Sequence, residues 1–194
     1  MDETVFDRAV CFAVKAHEGQ KRKDGAPYIL HLLEDAAIVG TITNDLEVLA
    51  AAALHDTVED TGTTPEQIKE NFGDRVYELV MHETENKRHE LPPAETWRIR
   101  KEESLEMLAK TDDRAVKIMW LGDKLSNIRG FFRMYQKEGY DCFKRCNNHD
   151  PRDHCEYYGR ILELLRELEE YPAYKEYELI YRSLFSQYLN ENEG

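Results

Sequence analysis

The sequence has no long apolar run and no surplus of basic residues. Its 194 residues include 26 Lys and Arg against 39 Asp and Glu, which gives a net charge of −13. Proteins that bind polynucleotides over a broad surface carry an excess of basic side chains, so this composition argues against a general nucleic-acid binder. It leaves open a small phosphorylated ligand, which needs only a local group of cations.

The apolar segments are also too short to cross a bilayer. The first five residues, Met-Asp-Glu-Thr-Val, lack the basic segment that begins a signal peptide. We therefore expect a cytoplasmic protein with no membrane partner.

Cysteine is scarce, and the paired Cys-x2-Cys spacing of common structural zinc sites is missing. Cys11 falls in an apolar helical pattern, where we expect a small core residue. Cys142, Cys146 and Cys155 lie close in sequence to two histidines, and this group leaves a zinc site open. We expect reduced thiols in a helix–loop–helix segment instead.

Strand patterns are absent, whereas apolar residues recur at helical spacing through most of the chain. The length suits one domain with an ample core. We therefore predict an all-α fold of about eight to nine helices in a single domain over residues 1–194. The motifs that carry chemistry lie within residues 17–129, and the last helices lie within 153–190. The longest helices are expected over 3–17, 94–110, 112–134, 153–170 and 172–190.

The stretch from Leu54 to Asp60, Leu-His-Asp-Thr-Val-Glu-Asp, follows an apolar, alanine-rich run. If the helix continues, His55 and Glu59 form one i,i+4 pair, and Asp56 and Asp60 form another. The alanines allow close helix approach, so these polar groups should lie near a packed centre. Buried groups of this kind need partners, and a divalent cation supplies one for several of them at once. The stretch therefore predicts a metal site.

Two further segments supply compatible side chains. His31 lies within an earlier predicted helix, and Asp123 and Asn127 form an i,i+4 pair in an apolar helix far downstream. Together with His55 and Asp56, this makes two imidazoles and two carboxylates. Mixed nitrogen and oxygen ligation that leaves open positions suits a catalytic Mn²⁺, Fe²⁺ or Zn²⁺.

A basic triplet, Lys21-Arg22-Lys23, precedes the His31 helix by a few residues. Most such triplets belong to solvated surface loops. In an acidic protein, however, three adjacent cations near a predicted metal site indicate a place for phosphate groups.

The order His31, His55-Asp56, Asp123 resembles the HD superfamily of metal-dependent phosphohydrolases. Three longer segments are similar to the hydrolase domain of RelA/SpoT-type alarmone enzymes, and the length resembles the small alarmone hydrolases that stand alone. The resemblance covers about residues 3–170. The segments are His17 to His31 (His-Glu-Gly-Gln-Lys-Arg-Lys-Asp-Gly-Ala-Pro-Tyr-Ile-Leu-His), His55 to Asp60 (His-Asp-Thr-Val-Glu-Asp) and Leu121 to Arg129 (Leu-Gly-Asp-Lys-Leu-Ser-Asn-Ile-Arg).

The resemblance implies a Mn²⁺ ion, with Fe²⁺ or Zn²⁺ as alternatives. It also implies that Glu59 and Asp60 orient and deprotonate the attacking water. The implied reaction is release of pyrophosphate from the 3′ position of guanosine tetra- or pentaphosphate. The implied metal ligands are His31, His55, Asp56 and Asp123.

For the nucleotide substrate, the resemblance implies that Arg22 packs on the base and that Lys21 and Lys23 assist on phosphates. Asn127 is expected to contact the substrate near the metal, and Tyr157 to line the pocket. Two alternatives stay open at this point. One is an HD phosphatase acting on another nucleotide, such as the 2′-phosphate of NADPH, and the other is a nucleotide-sensing module without catalysis.

The chain departs from the family pattern at two places. It has His31-Leu32 where the family often has His-Pro, and leucine suits a helix interior better than proline. It has Trp120-Leu-Gly-Asp123 where the family usually has Lys-Leu-Ala-Asp. Trp120 thus replaces a cation three residues before an expected ligand, a change that bears on phosphate or base contacts.

Overall fold

The computed structural model describes residues 3–88 and 90–190, and within them it contains no strand, only helices and one isolated bridge between Lys21 and Pro27. The predicted all-α fold is confirmed, and nine of the α-helices have eight residues or more. No helix in this part of the chain combines the length and apolar character needed to cross a membrane. The α-helices are α1 Val5–Ala16, α2 Ile29–Val39, α3 Leu46–Leu54, α4 Thr57–Asp60, α5 Pro65–Phe72, α6 Asp74–Glu83, α7 Pro93–Lys110, α8 Arg114–Glu138, α9 Pro151–Leu164, α10 Pro172–Leu184 and α11 Ser186–Asn190.

The backbone divides into two compact units. The first comprises residues 1–86 and 111–123, and the second comprises 87–110 and 124–194. α8 contributes its first ten residues to the first unit and the rest to the second. The prediction of one hydrolase domain over residues 1–194 stays a prediction.

α3 is the centre of the first unit, where it packs against α1, α2 and α6. Its four consecutive alanines, residues 50–53, are at most 1% exposed. Small side chains on every face of the helix let three neighbours approach its backbone, which explains why the apolar run lacks an amphipathic pattern. The polar segment that follows α3 is therefore held inside the unit.

Local signals set the helix ends of this unit. Thr64 and Gln67 form a reciprocal capping box at the start of α5, with Pro65 at the first helical position. Gly73, with φ of +90°, separates α5 from α6 in a backbone conformation that L side chains rarely adopt. The ends of this helix pair therefore follow from local sequence.

The second unit is built around aromatic side chains of α9 and α10. Tyr177 is fully buried and its hydroxyl donates to the carbonyl of Tyr158 at 2.9 Å, while the Tyr174 hydroxyl donates to the carbonyl of Leu162 at 2.9 Å. Both of these buried hydroxyls thus donate to the main chain. A 3₁₀ helix, Gly139–Arg145, lies where the sequence indicated only a loop.

The cysteines are all free. Cys142, Cys146 and Cys155 are buried in the second unit, and burial raises the pKa of Cys142 to about 11. Among the described residues, the group of side chains with metal-site geometry consists of His31, His55 and Asp123 and includes no cysteine. Cys11 is exposed, and its expected place in the core is wrong.

Candidate metal centre and active site

The helix that carries the His-Asp motif is interrupted at the motif itself. α3 ends at Leu54, His55 and Asp56 form a turn, and α4 begins at Thr57. The Asp56 dihedral angles are −90° and −3°, close to helical, and the Asp60 N–H still donates to the Asp56 carbonyl at 2.8 Å. The expectation of a continuous helix is therefore wrong, because a two-residue turn separates α3 from α4. Aspartate is a weak helix former because its side chain competes for backbone groups, and apolar periodicity does not reveal so short a break.

The four side chains predicted as metal ligands come together in the first unit. His31 Nε2 lies 3.1 Å from Asp123 Oδ1 and 3.5 Å from Asp56 Oδ2. His55 Nε2 lies 3.2 Å from Asp56 Oδ2 and 3.5 Å from Asp123 Oδ1. His31, His55 and Asp123 are buried, and Asp56 is partly exposed. Two helices, α2 and α8, and the turn at residues 55–56 thus bring two ring nitrogens and two carboxylate oxygens close together.

This donor set fits a divalent cation. One ligand atom each from His31, His55 and Asp123 lies within 4.8 Å of the other two. A metal bound at about 2.0–2.2 Å places neighbouring ligand atoms about 3–4 Å apart, so the cluster needs little adjustment. His55 Nε2 is buried and makes no hydrogen bond, although it faces two carboxylates. A buried nitrogen left in this way is suited to a metal.

The other ring nitrogen of His55 fixes the tautomer. Nδ1 lies 2.8 Å from the Ala52 carbonyl oxygen and 3.1 Å from Asp35 Oδ2, and both of these atoms are acceptors. The neutral ring therefore carries its proton on Nδ1 and presents the lone pair of Nε2 to the cluster. Asp35 is fully buried, and that burial raises its pKa to about 6 despite the nearby imidazole. The sequence analysis missed Asp35.

The charges in the cluster attract each other strongly. Burial lowers the pKa of His31 and His55, but the carboxylates of Asp56 and Asp123 outweigh this effect and raise both pKa values. Burial alone would raise the pKa of Asp56, yet the two imidazoles hold it well below its usual range. The electrostatics of the cluster therefore favour positive charge, and a bound cation would compete with protons for the ring nitrogens.

The two predicted acid–base residues are held by different groups. Glu59 Oε2 accepts a hydrogen bond from the Glu85 N–H at 2.8 Å. Asp60 Oδ2 lies 2.7 Å from the Tyr28 hydroxyl oxygen, which also lies 2.6 Å from Asp56 Oδ2. The single Tyr28 proton thus serves both carboxylates. Burial and these two negative charges raise the pKa of Tyr28 well above its usual range, so the hydroxyl remains a donor.

Tyr28 was present in the quoted motif but was not identified as functional. Its ring stacks on His17 with centroids 5.1 Å apart and meets the edge of His31 at 5.9 Å. Tyr28 lies three residues before His31, a spacing that puts both on one side of the chain as α2 begins. That spacing was the sequence signal that could have identified Tyr28 as part of the site.

The basic triplet lies in a short loop closed by backbone hydrogen bonds, from the Arg22 N–H to the Ala26 carbonyl at 2.8 Å and from the Tyr28 N–H to the Gln20 carbonyl at 2.9 Å. The Arg22 guanidinium carbon lies 5.9 Å from the centroid of the Tyr28 ring. Arg22 is partly buried, whereas Lys21 and Lys23 are exposed. Arg22 is therefore the member of the triplet that is linked, through Tyr28, to the predicted metal ligands His31 and Asp56.

Asn127 and Tyr157 belong to the second unit. Asn127 lies one turn after Asp123 along α8. Tyr157 lies on α9, where its ring centroid is 6.0 Å from that of Trp97 and 5.2 Å from the Lys101 ammonium. With residues of α7, Tyr157 lines a cavity of about 110 Å³. The substrate roles expected for these two residues stay predictions.

The departures from the family pattern lie in the core. Leu32 is fully buried in α2 and Trp120 is 2% exposed in α8. Gly122 is a position where a side chain has no room, because a Cβ there would lie 2.1 Å from Asp35 Oδ1 and 2.8 Å from Val39 Cγ2.

The chain is similar to several known proteins. The family model described as HD domain matches residues 9–145. The chain is 41% identical over 124 residues to a guanosine-3′,5′-bis(diphosphate) 3′-pyrophosphohydrolase of Aquifex aeolicus, and 35% identical over 129 residues to a GTP pyrophosphokinase of Brucella melitensis. The matches cover 64% and 66% of this chain but only 17% of each relative, so the chain spans about a sixth of their length.

Two solved structures are also similar. One is a metazoan ortholog of SpoT, described as hydrolysing ppGpp, with 26% identity and a TM-score of 0.68 over 96% of this chain and 97% of that one. The other is a protein of Listeria monocytogenes with 28% identity and a TM-score of 0.69, covering 80% of this chain and 99% of that one.

Proposed function

The chain belongs to the HD domain family, and from that premise we propose that it is a divalent-metal-dependent pyrophosphohydrolase. Its proposed substrate is guanosine 3′,5′-bis(diphosphate), from which it releases the 3′-diphosphate. The observation that carries the proposal is the buried Nε2 of His55, which makes no hydrogen bond and faces Asp56 and Asp123. The Aquifex relative and the metazoan SpoT ortholog are both described as acting on this nucleotide.

We propose Mn²⁺ as the cation, with Fe²⁺ or Zn²⁺ able to occupy the same donors. When bound, a divalent ion polarises a phosphoryl oxygen and lowers the pKa of a coordinated water. Two imidazoles with two carboxylates leave coordination positions open, as a catalytic site requires. The proposed ligands are His31, His55, Asp56 and Asp123.

Glu59 and Asp60 are the proposed acid–base pair. The Glu85 N–H fixes one oxygen of Glu59, and the Tyr28 hydroxyl fixes one oxygen of Asp60. Carboxylates anchored in this way hold a water molecule in one orientation and accept its proton as it attacks phosphorus. Tyr28 also contacts Asp56, so it keeps the acid–base residue in register with a proposed ligand.

Arg22 is the proposed contact of the guanine base. Its planar guanidinium stacks on a purine as a lysine ammonium does not, and the Tyr28 ring supports it from behind. Lys21 and Lys23 are exposed and supply charge to the phosphates that do not react. We propose that Asn127 contacts the substrate beside the cation and that Tyr157 lines the pocket.

The test is a product analysis on the purified protein after chelation and reloading with single cations. We expect turnover to be lost on chelation and best restored by Mn²⁺. Reloaded protein should release pyrophosphate from guanosine 3′,5′-bis(diphosphate) and leave GTP intact. Glu59→Gln is the matched control for contaminating phosphatases.

The outcomes separate the parts of the proposal. Full turnover by metal-free protein contradicts the metal mechanism. If NADPH loses orthophosphate while the guanosine nucleotide survives, the substrate is wrong and the phosphohydrolase chemistry stands. Binding of nucleotides without turnover of any would make the chain a sensor instead.

A further inference from the structure

Asp35 is a buried carboxylate that the mechanism above does not use. It lies on α2, one turn after His31, and is 0% exposed. Neither of its oxygens makes a well-aligned hydrogen bond, and its ion-pair contact is Oδ2 to His55 Nδ1 at 3.1 Å. A buried carboxylate with so little support is costly for a fold. A residue retained at such cost needs a compensating interaction.

The compensating interaction is with the proposed cation, which lies on the other side of the His55 ring. Nδ1 lies 2.8 Å from the Ala52 carbonyl oxygen and 3.1 Å from Asp35 Oδ2, while Nε2 faces Asp56 and Asp123 at the proposed cation site. A cation on Nε2 withdraws electron density from the ring, which strengthens the attraction between the Nδ1 proton and a carboxylate. Carboxylates placed in this way orient the ring and make the metal-binding nitrogen more basic.

Gly122 preserves the space that Asp35 occupies. A Cβ at position 122 would lie 2.1 Å from Asp35 Oδ1, a distance that atoms in contact do not reach. Gly122 directly precedes Asp123, so even an alanine next to this proposed ligand would displace Asp35. The chain therefore has a glycine in the middle of α8, where glycine weakens a helix, to keep Asp35 in place.

We propose that Asp35 is a positioning residue of the cation site, which acts through His55, and that Gly122 is the residue that makes room for it. The proposal rests on the cation site proposed above. Together with the Ala52 carbonyl, Asp35 holds the ring so that Nε2 points at the cation, and its negative charge on the far side of the ring favours a divalent ion. It touches neither the substrate nor the reacting atoms.

The experiment compares Asp35→Asn and Asp35→Leu in the full chain without substrate. Mn²⁺ affinity is measured by titration calorimetry and electron paramagnetic resonance, and Tm is measured in chelator. We expect Asp35→Leu to weaken Mn²⁺ binding by roughly 10- to 100-fold, the usual cost of losing a group that orients a ligand. Asp35→Asn keeps an acceptor oxygen, so it should recover part of that loss. Glu70→Gln, which neutralises an exposed carboxylate on α5, should leave the affinity unchanged.

The Tm values distinguish positioning from a structural role. An apolar residue in place of a poorly supported buried charge is neutral or stabilising, so chelated Asp35→Leu should melt at or above the wild-type temperature. Gly122→Ala should lower both Tm and Mn²⁺ affinity. In an Asp35→Ala background, Gly122→Ala should cost less than it does in wild type, because the colliding carboxylate is gone and only the close approach to Val39 Cγ2 remains.

Each failure has a separate meaning. If wild-type protein binds no divalent cation, the proposed function fails. If wild-type protein binds Mn²⁺ and both Asp35 variants bind it equally well, this inference is overturned and the cation site stands. If neither variant folds in chelator, Asp35 is a structural residue and the inference is again overturned.

Discussion

The two units of the molecule each bury a histidine, and they treat it in opposite ways. In the second unit, His154 Nε2 lies 2.9 Å from the Asn148 carbonyl oxygen, and the ring is packed between Trp97 and Phe143 with centroids 4.9 Å from each. In the first unit, His55 has one nitrogen against the backbone and the other without a hydrogen bond. Burial alone therefore does not identify a ligand; the direction of the second nitrogen does.

Tyrosines repeat the contrast. Tyr177 in the second unit donates to a backbone carbonyl, as most buried hydroxyls do. Tyr28 in the first unit lies 2.6 Å and 2.7 Å from two carboxylate oxygens. The His154 ring and the Tyr177 hydroxyl of the second unit thus meet main-chain carbonyls. The Tyr28 hydroxyl of the first unit meets two carboxylates of the candidate site instead.

Replacing each of the two histidines by alanine should give the largest difference in Mn²⁺ binding and turnover. His55→Ala removes a proposed ligand and should abolish tight Mn²⁺ binding and reduce turnover to background. His154→Ala opens a cavity among aromatic rings, so it should lower Tm while the folded protein binds Mn²⁺ as wild type does. Calorimetric titration and thermal melting of both variants check the pair. Tight Mn²⁺ binding by His55→Ala would remove the distinction between the units.

Glu59→Gln tests chemistry without changing the ligands. Glutamine keeps an oxygen that accepts from the Glu85 N–H but cannot take a proton. We expect Mn²⁺ affinity to remain and kcat to fall by roughly 10²- to 10⁴-fold, the range for a positioned acid–base group. Single-turnover kinetics on metal-loaded protein measure the effect. Loss of the ion in this variant would make Glu59 a ligand instead.

Substitutions in the basic triplet should have a smaller effect on catalysis, and the effect should differ among its members. Arg22 is partly buried beside Tyr28, whereas Lys23 is exposed. Arg22→Ala should raise KM for the guanosine nucleotide roughly tenfold, as expected for loss of a stacked cation, with kcat changed little. Lys23→Ala should raise KM less. Equal effects on KM would mean that the triplet acts only as bulk charge.

Tyr177→Phe should give the smallest change and the clearest control. It removes a hydroxyl that donates to the Tyr158 carbonyl inside the second unit. Loss of one buried hydrogen bond costs about 0.5–1.5 kcal/mol, which lowers Tm by a few degrees for a chain of this size. Mn²⁺ affinity and kcat should not change. A large loss of activity would contradict a purely structural role for the Tyr177 hydroxyl.

Much of this was accessible from sequence, for identifiable reasons. Apolar periodicity predicted the helices because this pattern is local. His31, His55, Asp56 and Asp123 were selected as a set by residue type and order, and the structure brings them within a few ångströms of each other.

The features that could not be predicted depend mainly on contacts between residues far apart in the sequence. Asp35 is one polar residue in an apolar helix, and nothing within α2 indicates that it faces His55 across a space kept by Gly122. Trp120 looked relevant to the substrate because of its position in a motif, but it is 2% exposed and fills the core. The turn at Asp56 interrupts the helix for a single step, which is shorter than any periodic signal.

The alanine segment at residues 50–53 bears on how relatives and mutant libraries should be interpreted. Every methyl group there is at most 1% exposed, so even valine would overpack the junction of four helices at a cost of about 1–3 kcal/mol. A saturation screen would therefore score these alanines as intolerant as His55 itself. The intolerance of the alanines would reflect lack of space, whereas that of His55 would reflect loss of a proposed ligand. A second substitution that opens a cavity nearby should rescue a larger residue at positions 50–53. No such second substitution should rescue the loss of His55.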